Sequence, residues 1–198
     1  SVYHHSMKAK SRFVVLLFWM FILLATSSLG FAHLQTTPSN NANFLVNQLI
    51  GPGITVSNAT INTQLAAAGT FQSNASNIGL PAGVLLTSGE VANAIGPNLS
   101  TGISTSHSSP GDPQLNALSA PFLTEDAWVL EFDIVAICGT IQISYVFGSD
   151  EYDEFVCSDF TDVFGFFISG PGIVGTQNIA VIPGSATPIS INTVNIGA

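Results

Sequence analysis

Apolar and polar residues alternate most cleanly between residues 127 and 147. In "AWVLEFDIVAI", Leu130, Phe132 and Ile134 fall on one side of an extended chain, and Glu131 and Asp133 on the other. "TIQISYVF" repeats the two-residue period and predicts a strand with Ile141, Ile143, Tyr145 and Phe147 inward. Upstream, "ITVSNATI" reads as a strand, and "GVLLTSGEV" as another with a turn at Ser88-Gly89. Downstream, "DVFGFFIS", "NIAVIP" and "PISINTV" supply three more short runs. Helical periodicity is scarce. "NFLVNQLIG" fits one short helix, ended by Gly51-Pro52-Gly53. "LQTTPSNNAN" reads as a polar linker, and residues 96–113 as a long loop of turn-forming residues. Short strands separated by turn signals predict an all-β fold, a β-sandwich or jelly-roll-like domain with one short N-terminal helix. The sequence stops at "NTVNIGA" in strand-like residues, which predicts a truncated C-terminus with further strands beyond it.

Charge sharpens this picture. The 198 residues carry a formal charge of −9, but the three basic residues are Lys8, Lys10 and Arg12, and all twelve acids lie at or beyond Glu90. Beyond residue 32 no Lys or Arg remains to pair with those acids. Hydrogen bonds, water, protonation or a bound cation must answer them. The same lack argues against nucleic acid as a partner, because no Lys or Arg there is available to neutralise phosphates.

The basic residues belong to a leader. Met7 to Arg12 form a positive n-region, "FVVLLFWMFILLA" an apolar core, and "TSSLGFAH" a cleavage region with Gly30 and Ala32 as its small residues. The apolar run is short of the roughly 20 residues a membrane span needs. The expected organisation is residues 1–32 as upstream residues plus signal peptide, 33–42 as linker and 43–198 as the β domain. Contact with a membrane is expected only through the leader or a missing C-terminal anchor. Export to an oxidising compartment makes Cys138 and Cys157 the natural disulfide pair. Closing that loop contributes about 3 kcal/mol in the chain-entropy model.

The chemistry concentrates in "FGSDEYDEFVCSDFTDVFGFF", residues 147–167. Asp150, Glu151, Asp153, Glu154, Asp159 and Asp162 crowd a stretch between two strands. Two carboxylates about 5 Å apart repel by roughly 3 kcal/mol at an effective dielectric of 20. Calcium relieves that repulsion, accepts six to eight oxygens and suits an irregular loop. The first choice of ligands is Glu151, Glu154, Asp159 and Asp162, with Asp150 and Asp153 next. The spacing is not that of an EF-hand, so the argument rests on charge density and compartment. The plain alternative is a solvated acidic loop that keeps an exported protein soluble. Tyr152, Phe155, Phe160 and Phe164 are expected to pin the segment on the core, which suits either reading.

Other candidates are weaker. Asp112 reads as a turn residue and Glu125 and Asp126 as exposed acids before a strand. Glu131 and Asp133 face outward. A glycoside hydrolase needs only two carboxylates, so an extracellular hydrolase is the alternative function. His107 lies among serines, but no nucleophile-elbow motif accompanies it, and a solvated loop histidine is expected. Asn58-Ala-Thr60, Asn74-Ala-Ser76 and Asn98-Leu-Ser100 fit the glycosylation sequon, which matters only in a host that uses it.

"YVFGSDEYDEFVCSDFTDVFGFFISGPG" resembles the signature of the choice-of-anchor L domain family. "GLPAGVLLTSGEVANAIGPN", "GDPQLNAL", "EDAWVLEFDI" and "NIAVIPGSATPISINTVN" resemble its other blocks in order. The resemblance implies an exported bacterial β-rich domain, secreted or at the cell surface. It implies an adhesive or structural role without an established reaction. Glycans and cell-surface or matrix components are the partners expected of such a module.

Overall fold

In the computed structural model of the chain, residues 33–100, 102–137, 139–151 and 155–194 are described. The expected leader therefore lies outside the described residues, as do Cys138, Tyr152, Asp153 and Glu154. Among the described residues no helix is long and apolar enough to cross a membrane.

The chain is all-β, as the alternation predicts, with antiparallel pairing throughout the sheets. Its first sheet has the order β1-β3-β4, with β1 His33–Pro38, β3 Ala68–Asn74 and β4 Ala82–Leu86. β1 corrects the expected linker. Its polar residues have no apolar face to advertise, yet Thr36 and Thr37 are β-branched and the backbone pairs from His33↔Asn74 to Pro38↔Gly69. Pro38 is tolerated there because β1 is an edge strand. The strands approach closely at Gly69, where a Cβ would lie 2.3 Å from the Thr37 carbonyl oxygen. Phe71 is buried, and its ring covers Gly83, its partner on β4.

Helix α1, Ala42–Leu49, forms where expected. The Asn41 side chain caps it by accepting from the Phe44 amide at 3.0 Å. Its fully buried Leu45 and Val46 share the N-terminal core with Ala67, Ala68, Phe71 and Val91. Val91 opens a 3-10 turn, Val91–Ile95, just past the expected turn at Ser88-Gly89.

The second sheet pairs β2, Ile54–Asn62, with β5, Val129–Ala136. On β5 the odd positions Glu131, Asp133 and Val135 are exposed and Leu130, Phe132 and Ile134 are half-buried, in agreement with the alternation. On β2 the inward set changes parity, from Ile54 and Val56 to Ala59 and Ile61. A bulge between Ser57 and Thr60 makes the change. Asn58 adopts φ +54° there, a region Asn enters readily, and its Nδ2 donates to Asp133 Oδ2 at 2.6 Å.

The downstream runs give shorter strands than expected. "DVFGFFIS" splits into β6, Val163–Phe164, and β7, Phe167–Ile168, which pair with different partners. β7 pairs with β8, Gln177–Asn178, and β6 with β9, Ile189–Ser190. "NIAVIP" is interrupted because Asn178 Oδ1 accepts from the Phe166 and Ala180 amides, both at 3.0 Å, diverting the backbone. "PISINTV" starts as β9 but turns into a single helical turn, Ile191–Val194. There Thr193 Oγ1 accepts from the Ser190 amide at 2.8 Å and donates to the Pro188 carbonyl at 2.6 Å. Ala180, Ile189 and Ile191 form the small core of this half. "TIQISYVF" is the clear departure. Residues 140–149 belong to no strand, and Ile141, Ile143 and Tyr145 are 38–44% exposed. Alternation supplies a face, but a strand also needs a neighbour to complete its ladder.

Candidate functional site: carboxylates held by neutral donors

The acidic segment is framed by β6 and the C-terminal turn on one side and by the long loop on the other. Asp150 reaches that loop with both oxygens. Oδ1 accepts from Asn98 Nδ2, and Oδ2 accepts from the Ile103 amide at 2.7 Å. Asn98 is itself set by a local turn, its Oδ1 accepting from the Ser100 amide at 3.0 Å. Asp162 Oδ2 accepts from Ser149 Oγ at 2.5 Å, and the same hydroxyl accepts from the Glu151 amide at 3.0 Å. The Asp162 carbonyl accepts from the Ile191 amide at 3.1 Å, which ties the segment to the C-terminal turn. Asn192 adds a second tie. Its Oδ1 accepts from the Cys157 amide at 2.7 Å and its Nδ2 donates to Thr161 Oγ1 at 3.2 Å.

Of the six expected ligands, Asp150, Glu151 and Asp162 are half-buried and Asp159 is exposed, while Asp153 and Glu154 lie outside the described residues. Among the described residues no group of three or more His, Cys, Asp or Glu is arranged to hold a metal ion. Cys157 is exposed and unbridged, with φ +64°, and its expected partner Cys138 lies outside the described residues. The aromatics only partly anchor the segment. Phe155 and Phe160 meet edge to face at 5.4 Å, and Phe164 on β6 packs on Tyr145 at 5.2 Å. Phe160 is nevertheless 62% exposed, so it does not pin the loop to a core as expected.

The most completely satisfied carboxylate is one the sequence reading placed at the surface. Asp126 is only 8% exposed. Its Oδ1 accepts from the Ser109 amide at 2.7 Å, and its Oδ2 accepts from the His107 amide at 2.9 Å and Ser106 Oγ at 3.2 Å. The backbone completes the clasp. Asp126, at φ +49°, donates its amide to the Ser109 carbonyl at 3.0 Å, and Pro110 bridges to Glu125. Burial pushes the Asp126 carboxyl up. The Ser109 and His107 amides, the Ser106 hydroxyl and the charge of His107 outweigh it and hold the carboxyl below its ordinary range.

His107 is not a solvated loop histidine either. Its Nε2 lies 2.9 Å from the Gly89 carbonyl, so that nitrogen carries the proton. Its ring meets Trp128 edge to face at 5.5 Å. The imidazole thus holds a backbone carbonyl, and Ser106 donates to a carboxylate. Neither pair has the orientation of a nucleophile and its base.

Asp112 serves as an N-cap, its Oδ1 accepting from the Gln114 and Leu115 amides at 2.8 and 3.1 Å. It starts α2, Pro113–Ser119, with Pro113 in the first turn where its missing N–H costs nothing. The cues for α2 stand in the sequence as an Asp-Pro pair. The cue for Asp126 is weaker, an acid distant in sequence from the donor-rich "STSHSSP".

These features define a class: a β-rich module whose loops are fastened by carboxylates set against amides and hydroxyls. Within that class, the chain belongs to the Choice-of-anchor L domain family, whose model matches residues 34–198. The match takes in β1, placing that strand inside the domain. Domains of this kind are associated with exported and surface proteins and are typically non-enzymatic surface modules. No curated protein and no solved structure matches the chain.

Proposed function

We propose that the chain is a secreted or cell-surface module with an adhesive or structural role, non-enzymatic, and stiffened by calcium at its acidic segment. One observation carries this reading. The segment is where three separate stretches converge: the long loop through Asn98 and Ile103, Ser149 through Asp162, and the C-terminal turn through Asn192. A cation added there would fasten all three. Glu151, Glu154, Asp159 and Asp162 would supply its oxygens, with Asp150 and Asp153 in support. A Cys138–Cys157 disulfide would brace the same corner. The finished module would present its loops to glycans or to cell-surface and matrix components.

The test is a thermal melt of the chain with millimolar calcium and with chelator. Calcium at 100 times its dissociation constant stabilises the folded state by about 2.7 kcal/mol. The gain should shrink in Asp162→Asn and in Asp159→Asn. A midpoint that ignores calcium defeats the cation and leaves the surface module standing. The disulfide is read separately, as a mass change on reduction of the secreted protein.

A further inference from the structure

The segment between β5 and the acidic stretch has the sequence of a strand but no hydrogen-bonded strand beside it among the described residues. Residues 141–148 read "IQISYVFG", rich in β-branched and aromatic side chains and alternating in polarity. Ile141, Ile143, Tyr145 and Val146 are 38%, 44%, 40% and 55% exposed. Among the described residues, the main chain of 141–148 forms no hydrogen bond and enters no ladder. Such a row of free N–H and C=O groups beside apolar side chains is a template for another extended chain.

Charge selects the occupant. Asp150 and Glu151 follow the segment directly in the chain, and no Lys or Arg occurs beyond Arg12. A second copy of this domain would bring the same acids to the same edge. A basic segment would find only complementary charge.

We infer that residues 141–147 form a strand-acceptor edge for an extended segment of a partner polypeptide, apolar at alternate positions and flanked by Lys or Arg. The main chain supplies most of the attraction. Ile141, Ile143 and Tyr145 gain burial, and the neighbouring carboxylates set the preference for basic flanks. This inference is independent of the calcium reading, and chelator in the buffer keeps the two apart.

Three fluorescent peptides test it against the whole chain at physiological salt. One alternates Val and Thr between Lys flanks. The second has Glu flanks. The third has the first peptide's composition with the alternation scrambled. The Lys-flanked alternating peptide should bind at least tenfold more tightly than either control, and it should slow hydrogen exchange at the amides of 141–147. Ser144→Pro should abolish both effects. It breaks no existing hydrogen bond, and an unchanged circular dichroism spectrum confirms that the variant folds. Ile143→Glu, which keeps the backbone, should weaken binding at least tenfold. Equal binding of all three peptides, or binding without protection of 141–147, overturns the inference. So does protection in the free chain at every concentration, which would mean the chain covers its own edge. Protection that grows with protein concentration alongside dimers in sedimentation overturns it in favour of a second copy.

Discussion

Asp126 and the acidic segment solve one problem in two ways. Both place carboxylates in a region without a Lys or Arg. Asp126 is isolated, buried and enclosed by two backbone amides and a hydroxyl. The acids of residues 150–162 are close together in sequence, and the described ones are half-buried or exposed; Asp150 accepts from one side-chain amide and one backbone amide, and Asp162 from one hydroxyl. Amides cost nothing to orient once a turn is formed, so one carboxylate can be satisfied completely by a local clasp. Asp150 and Asp162 instead draw their donors from separate stretches, the long loop and Ser149. The first arrangement is a fastener built from the chain alone. The second is where the proposed cation would act.

The sharpest way to break the comparison is Asp126→Ala. It strands the Ser109 and His107 amides and the Ser106 hydroxyl, and should cost roughly 3 kcal/mol in chemical denaturation. Asp126→Asn should cost less, because one amide oxygen still accepts. Acid is the next lever. The folded-state pKa of Asp126 is lowered, so its contribution is fully present above the ordinary carboxylate range. It is lost as pH falls through the folded value. The stability–pH curve of Asp126→Ala should be flatter than that of the parent in that acidic window. A smaller effect is expected from Asn98→Ala, about 1 kcal/mol, with faster exchange at the amides of the long loop. Asp159→Asn sits at the end of the scale. In chelator its stability should stay within about 0.5 kcal/mol of the parent, since the side chain is exposed.

The sequence was most informative where one residue's environment is decided by its immediate neighbours. β5 and α1 are examples, because two-residue alternation and a short apolar run stopped by Gly51-Pro52-Gly53 are local signals. β2 was legible as a strand, but the parity change at Asn58 was not. The bulge depends on the opposite strand and on Asp133. β1 was hidden because a polar edge strand is held by backbone pairing that no side-chain pattern announces. Residues 141–148 fail in the opposite sense, with a clear pattern but no strand paired to them among the described residues. At the site, the crowded acids are obvious in any reading. Asp126 was misread because its three donors arrive from 17 to 20 residues away.

The neutral donors carry a consequence for the medium in which the module works. Dissolved ions weaken attraction between exposed opposite charges and repulsion between like ones over about 8 Å at physiological strength. The described part of this chain contains no Lys or Arg to form the attractive kind, so brine has chiefly repulsion to weaken. A fold fastened in this way gains firmness as its surroundings become saltier, where one laced with ion pairs would loosen.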